Sequence, residues 1–136
     1  MKREETVKLI REYYHAFNTG DMKTFFDLMS TDIEHDINQG KRELGKEKFH
    51  HFMERMNKCY REKITDLVIF ASDSGDRAAT EFMVEGTYLA TDQGLPPAHH
   101  QQYKLPGGAF FAIKEGKISR VTNYYNLNEW LLQIKK

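Results

Sequence analysis

Residues 32–38 read Asp32-Ile33-Glu34-His35-Asp36-Ile37-Asn38, and here the chain changes period. Ile33, His35 and Ile37 alternate with charged or amide neighbours, the two-residue repeat of a strand with one buried face. Upstream the repeat is helical. Val7, Ile10, Tyr14 and Phe17 recur at three- and four-residue steps, with Leu9, Tyr13 and Ala16 widening the stripe. Asn18-Thr19-Gly20 predicts the stop, because glycine tolerates the left-handed conformation that closes a helix. Asp21 is placed to cap a second helix carrying Met22, Phe25, Phe26, Leu28 and Met29, which is predicted to end near Ser30-Thr31.

Downstream, Gln39 to Gly45 reads as a polar loop. Phe49, Phe52, Met53, Met56 and Tyr60 form the stripe of a third helix. From Arg61 onward the pattern is mostly strand. Ile64 to Ser72 is rich in branched and aromatic residues, and Asp73-Ser74-Gly75-Asp76 is a turn. Ala78 to Thr91 is the next run, followed by a loop over Asp92 to His100. Tyr103 to Ile113 and Lys117 to Tyr125 make a hairpin around Lys114-Glu115-Gly116. Gly107-Gly108 after Pro106 predicts a bulge or kink in that hairpin. Asn126 and Glu129 have capping-box spacing and open a short last helix with Leu127, Trp130, Leu131 and Ile134. Helices first and long antiparallel strands afterwards imply an α+β domain with the helices on one sheet face. A strongly curved sheet under helices makes a cone, whose unfilled space is a small-molecule site.

Composition narrows the function. The 136 residues carry 20 basic and 20 acidic side chains, so no excess of Lys and Arg is available to neutralise phosphates, and nucleic acid is not an expected partner. Hydrophobic residues make up 40%, enough for one core, and residues 1–136 are read as a single domain. No apolar run reaches the length of a membrane span, and Met1-Lys2-Arg3-Glu4-Glu5 leads straight into an amphipathic pattern, so a cytoplasmic chain without a membrane partner is expected. The lone Cys59 forms no internal disulfide, and nothing in the sequence marks a residue that would activate it as a nucleophile. His50-His51 and His99-His100 lack the HExxH or Cys-rich spacing of a metal site, so no metal is expected.

Several polar groups have chemistry to offer. His35 and Asp36 are adjacent on a strand and point to opposite faces, so one of them lines the interior. Alternation with Ile33 and Ile37 favours His35. Tyr13 and Tyr14 are about 100° apart around their helix and do not share a direction. Val121, Asn123 and Tyr125 share one face by alternation, and Tyr88 and Tyr103 supply further polar tips from strands.

The order of elements, with Tyr13-Tyr14-His15-Ala16-Phe17-Asn18-Thr19-Gly20-Asp21, the Asp32–Asn38 segment, Gly45 and the closing Gly116 to Tyr125, resembles the nuclear-transport-factor-2-like superfamily. Within it, the resemblance is to SnoaL-like proteins and relatives of ketosteroid isomerase. It implies a cone-shaped fold, three N-terminal helices on a curved, mostly antiparallel sheet, with the C-terminal helix as a short addition. Ketosteroid isomerase pairs an aspartate base with an oxyanion hole of a tyrosine and a protonated aspartic acid. By motif, the base falls on Asp36 and the tyrosine on Tyr13. The second donor falls near Ala109, which has no side-chain proton. The resemblance turns the face of Val121, Asn123 and Tyr125 toward the pocket, with Tyr14, Tyr88, Tyr103 and Phe111 completing its lining. It also implies a homodimer through the convex sheet face.

The leading expectation is a small-molecule enzyme, an isomerase or polyketide cyclase-type lyase, that moves protons on an apolar, oxygen-bearing substrate without a cofactor. Asp36 or His35 would transfer the proton while Tyr13, Asn123 or Tyr125 donates to the oxyanion. The competing expectation is a non-catalytic ligand-binding or dimerisation module, marked by a cavity filled with Phe25, Phe82, Phe110 and Phe111. A third is epoxide or ring opening by an activated water.

Overall fold

The computed structural model describes residues 2–135. Helix α1 spans Arg3–Thr19 and closes on Gly20, whose φ of 75° is the left-handed conformation the stop required. Asp21 caps α2, Met22–Asp27, by accepting from the Thr24 N–H at 3.1 Å. This helix ends before the predicted Ser30-Thr31. The chain enters strand β1 at once, Met29–Asp36, with Met29 buried in the core.

The polar stretch that followed as a loop holds a short strand, β2, Arg42–Leu44, paired antiparallel with β1. Helix α3 is Lys46–Cys59, and the long strands follow: β3 Tyr60–Ala71, β4 Arg77–Tyr88, β5 Gln102–Lys114 and β6 Lys117–Tyr125. Helix α4, Leu127–Ile134, is capped by the Asn126 carboxamide as its spacing predicted. The six strands form one curved, unclosed sheet in the order β2-β1-β6-β5-β4-β3. Among the described residues only the β1–β6 pair is parallel, so the sheet is mostly antiparallel. The α+β architecture read from the sequence is the architecture of the chain.

Helices α1, α2 and α3 cover one sheet face. Between them and the strands lies a core in which Tyr13, Phe25, Phe49, Phe82 and Phe111 interdigitate with Ile10, Ile33, Ile118 and Val121. A second, smaller core forms where α4 lies on β5, with Tyr88, Tyr103 and Leu105 packed around Trp130.

Gly107-Gly108 is not a bulge: pairing is continuous through both residues on both sides. The register shifts lie instead at Ala112/Ile113 on β5 and Met29/Glu34 on β1, both against β6, and at Thr65/Val68 on β3, where Asp66 takes a φ of 52°. Gly107 has a packing reason, since a Cβ there would sit 2.7 Å from the Phe82 ring.

Where a backbone run lacks a strand neighbour, a side-chain amide stands in for one. Asn18 donates to the Ile64 carbonyl at 2.9 Å and accepts from its N–H at 2.8 Å, on the outer edge of β3. Gln133 does the same to Lys104, beyond the point where β6 has ended, and Asn38 to Tyr125. Each clip satisfies backbone groups that would otherwise have no partner.

Candidate functional site

Alternation decides which of the adjacent pair enters the molecule. His35 follows Ile33 onto the inner face and is 1% exposed, whereas Asp36 lies on the outer face. The imidazole stacks flat on Phe49, with ring centroids 4.0 Å apart, and Phe52 meets it edge-on at 4.7 Å. Both phenylalanines come from α3, so the helix that followed the polar loop builds this wall. His35 Nδ1 is buried and has no hydrogen-bond partner among the described residues. Burial in this aromatic slot lowers the His35 pKa to about 4, against a smaller opposing pull from the neighbouring Asp36, so the ring is neutral at pH 7.

Asp36 is held from two sides. Arg42 on β2 grips its carboxylate through Nε at 2.6 Å and Nη2 at 3.0 Å, and the Thr122 hydroxyl donates to it at 2.6 Å. The hydrogen bonds from Arg42 come first among the causes that bring its pKa down to about 2. Arg42 also reaches Glu34 at 2.9 Å, making a charged network on the outer sheet face. Both carboxylate oxygens are taken up by these donors, and the group faces away from the core that holds His35.

The other sequence-derived residues separate into groups. Tyr13 is buried, stacks on Phe25 and meets Phe111 edge-on, and burial raises its pKa well above the usual phenol value. Tyr14 shares a 2.8 Å hydrogen bond with Thr80. Phe111 and Val121 are fully buried packing residues beside them. Tyr88 and Tyr103 lie in the second core with Trp130, where the Tyr88 hydroxyl donates to the Pro96 carbonyl. Asn123 is half-buried opposite Ala109. Tyr125 is 41% exposed and borders a groove of about 580 Å³ with Asn38, Pro106 and Gly107. His35, Tyr13, Tyr14, Phe111 and Val121 thus come together in one core, while Tyr88, Tyr103 and Tyr125 stand apart from it.

The structure adds groups that the sequence did not single out. Glu62 continues the inward register of Tyr60 and Ile64 on β3, and the Tyr103 hydroxyl donates to its Oε2 at 2.5 Å. Burial raises the Glu62 pKa, and the Tyr103 hydrogen bond opposes that rise. Nearby, the Tyr60 hydroxyl donates to Asp92 at 2.8 Å, and Arg55 lies 3.4 Å from the same carboxylate. The Tyr60-Glu62-Ile64 alternation was the available signal for Glu62. Among the described residues no group of three or more His, Cys, Asp or Glu is arranged to hold a metal ion. No described helix is long and apolar enough to cross a membrane.

Comparison with known proteins gives this geometry a family. No curated protein sequence matches the chain. Among solved structures, a candidate polyketide cyclase from Pseudomonas putida is 56% identical with a TM-score of 0.94, over 95% of this chain and 97% of that one. A candidate polyketide cyclase from Xanthomonas campestris is 48% identical with a TM-score of 0.95, over 97% and 98%. An NTF2-like protein of unknown function from Burkholderia pseudomallei is 13% identical yet superimposes with a TM-score of 0.82 over 97% of this chain and 98% of that one, which shows the shared fold. The family profile of the SnoaL-like domain matches residues 10–121, from the buried face of α1 to the centre of β6, and the chain belongs to that family.

Proposed function

We propose that this protein is a cyclase-type enzyme that moves protons, without a cofactor, on an apolar, oxygen-bearing small molecule. The observation that carries the reading is His35, a neutral imidazole sunk between Phe49 and Phe52 with an unpartnered Nδ1. Leaving a buried polar atom unsatisfied costs about 1–3 kcal/mol, and a fold bears that cost most readily where the group has work to do. A neutral imidazole carries one N–H and one lone pair, so it can take a proton and return it.

In a cyclisation, the ring takes a proton from a carbon between two carbonyls, and the electron pair moves onto the enolate oxygen. The enolate carbon then attacks a distant carbonyl, forming a carbon–carbon bond and breaking the C=O π bond. The resulting alkoxide recovers the proton from the imidazolium. Every atom and electron is accounted for, and no oxidant or reductant enters. The Tyr13 hydroxyl, kept protonated by burial, and the Asn123 carboxamide are the donors we assign to the oxyanion. The likeness to candidate polyketide cyclases supports this substrate class. Incubation with a short linear poly-β-ketone ester, followed by mass spectrometry and NMR, tests it. The cyclic isomer or its dehydration product should accumulate with the wild-type protein and fall to background with His35→Phe.

A second reading, ligand binding without chemistry, draws on the filling of the core. Phe25, Phe82 and Phe111 occupy the space between helices and sheet, although Phe110 lies on the outer face and is 49% exposed. That reading predicts probe binding with no cyclic product.

We also propose a homodimer through the outer face. Phe70, Ala79 and Phe110 are consecutive cross-strand partners, and the Tyr124 ring meets Phe110 at 5.8 Å. Val68, Phe70, Phe110 and Tyr124 together expose an apolar patch on this face.

A further inference from the structure

Strands β1 and β2 carry two orphaned polar atoms on directly paired residues. The Gly45 N–H donates to the Ile33 carbonyl at 2.8 Å and the Ile37 N–H to the Lys41 carbonyl at 3.4 Å, and between these rungs His35 pairs with Glu43. Directly opposed residues of an antiparallel pair project from the same face, with Cβ atoms about 5 Å apart. Glu43 therefore turns inward with His35 and is half-buried, while Arg42 and Leu44 on either side of it are exposed. Its Oε1 is buried and, like His35 Nδ1, has no hydrogen-bond partner among the described residues. Around the imidazole stand Phe49 and Phe52 from α3 and Val121, its cross-strand partner on β6, none of which can hydrogen-bond through its side chain. Asp36 is committed to Arg42 and Thr122 on the opposite face. A carboxylate oxygen only accepts, and imidazole Nδ1 donates in one of its two neutral tautomers, so the two orphaned atoms are chemically complementary. Catalytic hydrogen bonds are often open in a ligand-free enzyme and close in the substrate complex, and a glutamate has three side-chain torsions with which to close this one.

We propose that Glu43 is the positioning residue for His35: its carboxylate accepts the Nδ1–H of the neutral ring, which leaves the lone pair on Nε2 to take the substrate proton. The hydrogen bond made by one ring nitrogen sets which tautomer is present. When Nε2 takes the proton, the ring becomes an imidazolium and Nδ1 keeps its own proton. The Glu43 carboxylate then offsets the new positive charge across the same hydrogen bond. The proton leaves again from Nε2, so Glu43 ends the cycle as it began. The inference rests on the proton-transfer reading above and deepens it, by assigning the nitrogen that acts as base and the group that orients it.

Long-range proton–nitrogen NMR correlation at pH 7, on protein carrying nitrogen-15 histidine, tests this because the two neutral tautomers give different nitrogen shifts. The His35 signals are identified by their loss in His35→Phe. Wild-type protein should show Nδ1 protonated and Nε2 bare, and Glu43→Leu, which offers no acceptor, should lose that preference. An Nε2-protonated ring in the wild type, or an Nδ1-protonated ring that persists in Glu43→Leu, would overturn the proposal. Should Glu43→Leu not fold, the wild-type tautomer decides alone. Activity gives a second readout. In α-proton exchange of 1-tetralone, Glu43→Leu should lower kcat by about 10- to 100-fold and keep KM within about twofold, as expected of a group that acts through the base. An unchanged kcat would overturn the proposal equally. The tautomer is read with no substrate present, so the two readings fail separately: exchange at the buffer rate by the wild type defeats proton transfer by His35, and the tautomer still judges Glu43.

Discussion

His35 and Asp36 are neighbours whose proton affinities are driven in different ways: the imidazole loses affinity because it is desolvated, the carboxylate because it is paired. The imidazole has a consequence for stability. Its folded pKa of about 4 lies below the unfolded value of about 6.5, so between those pH values the unfolded chain binds more protons. The neutral-histidine contribution is complete above about pH 6.5 and is lost as pH falls toward 4, a loss of about 3 kcal/mol if His35 acts alone. Urea midpoints measured across that range should fall with pH in the wild type and flatten in His35→Phe. Phenylalanine should stack on Phe49 in the imidazole's place, and removing an unpartnered Nδ1 should leave stability at pH 7 equal or about 1 kcal/mol higher. Asp36→Asn should weaken the Arg42 fork, lower stability and leave proton transfer intact; loss of activity at unchanged fold would return Asp36 to the mechanism. The inward position of His35 was legible in its alternation with Ile33 and Ile37. Glu62 escaped because Tyr60 was read into the stripe of the third helix, whereas it opens β3, which left the Tyr60-Glu62-Ile64 register out of view.

At the scale of elements, the stops, caps and helix stripes were legible because they depend on local chemistry: Gly20 closes α1, Asp21 caps α2 and Asn126 caps α4. Strand β2 was not. Its Arg42 and Leu44 are exposed, and the strand is defined by backbone pairing to β1, which leaves no hydrophobic repeat to read. Gly107-Gly108 misled for a related reason, since a glycine in a strand signals either a bulge or a close neighbour, and here the neighbour is Phe82. The amide clips were equally invisible, being long-range. Asn18→Leu should remove both bonds to the Ile64 backbone, cost about 1–3 kcal/mol in urea unfolding, and speed hydrogen exchange at the Ile64 amide. Unchanged exchange there would show that the β3 edge does not depend on the clip. Gly86→Ala should force the Tyr103 ring out of its place and destabilise by about 1–3 kcal/mol in urea unfolding.

For the whole molecule, one curved sheet serves two purposes. Its inner face holds the aromatic core with His35 and, further along, the Glu62–Tyr103 pair. Its outer face carries the Asp36–Arg42 network beside the Val68, Phe70, Phe110 and Tyr124 patch. If that patch joins two copies, Phe110→Lys should convert a dimer to a monomer in sedimentation velocity while the circular dichroism spectrum stays unchanged. A wild-type monomer would dismiss the interface. The central claim concerns the inner face, and the exchange of α-protons of 1-tetralone in D₂O, followed by NMR, addresses it without knowledge of the natural substrate. Wild-type protein should accelerate deuterium incorporation above the buffer rate, and His35→Phe should return it to that rate. Incorporation at the buffer rate with the wild type, or equal acceleration by His35→Phe, would contradict the assignment of proton transfer to this buried imidazole.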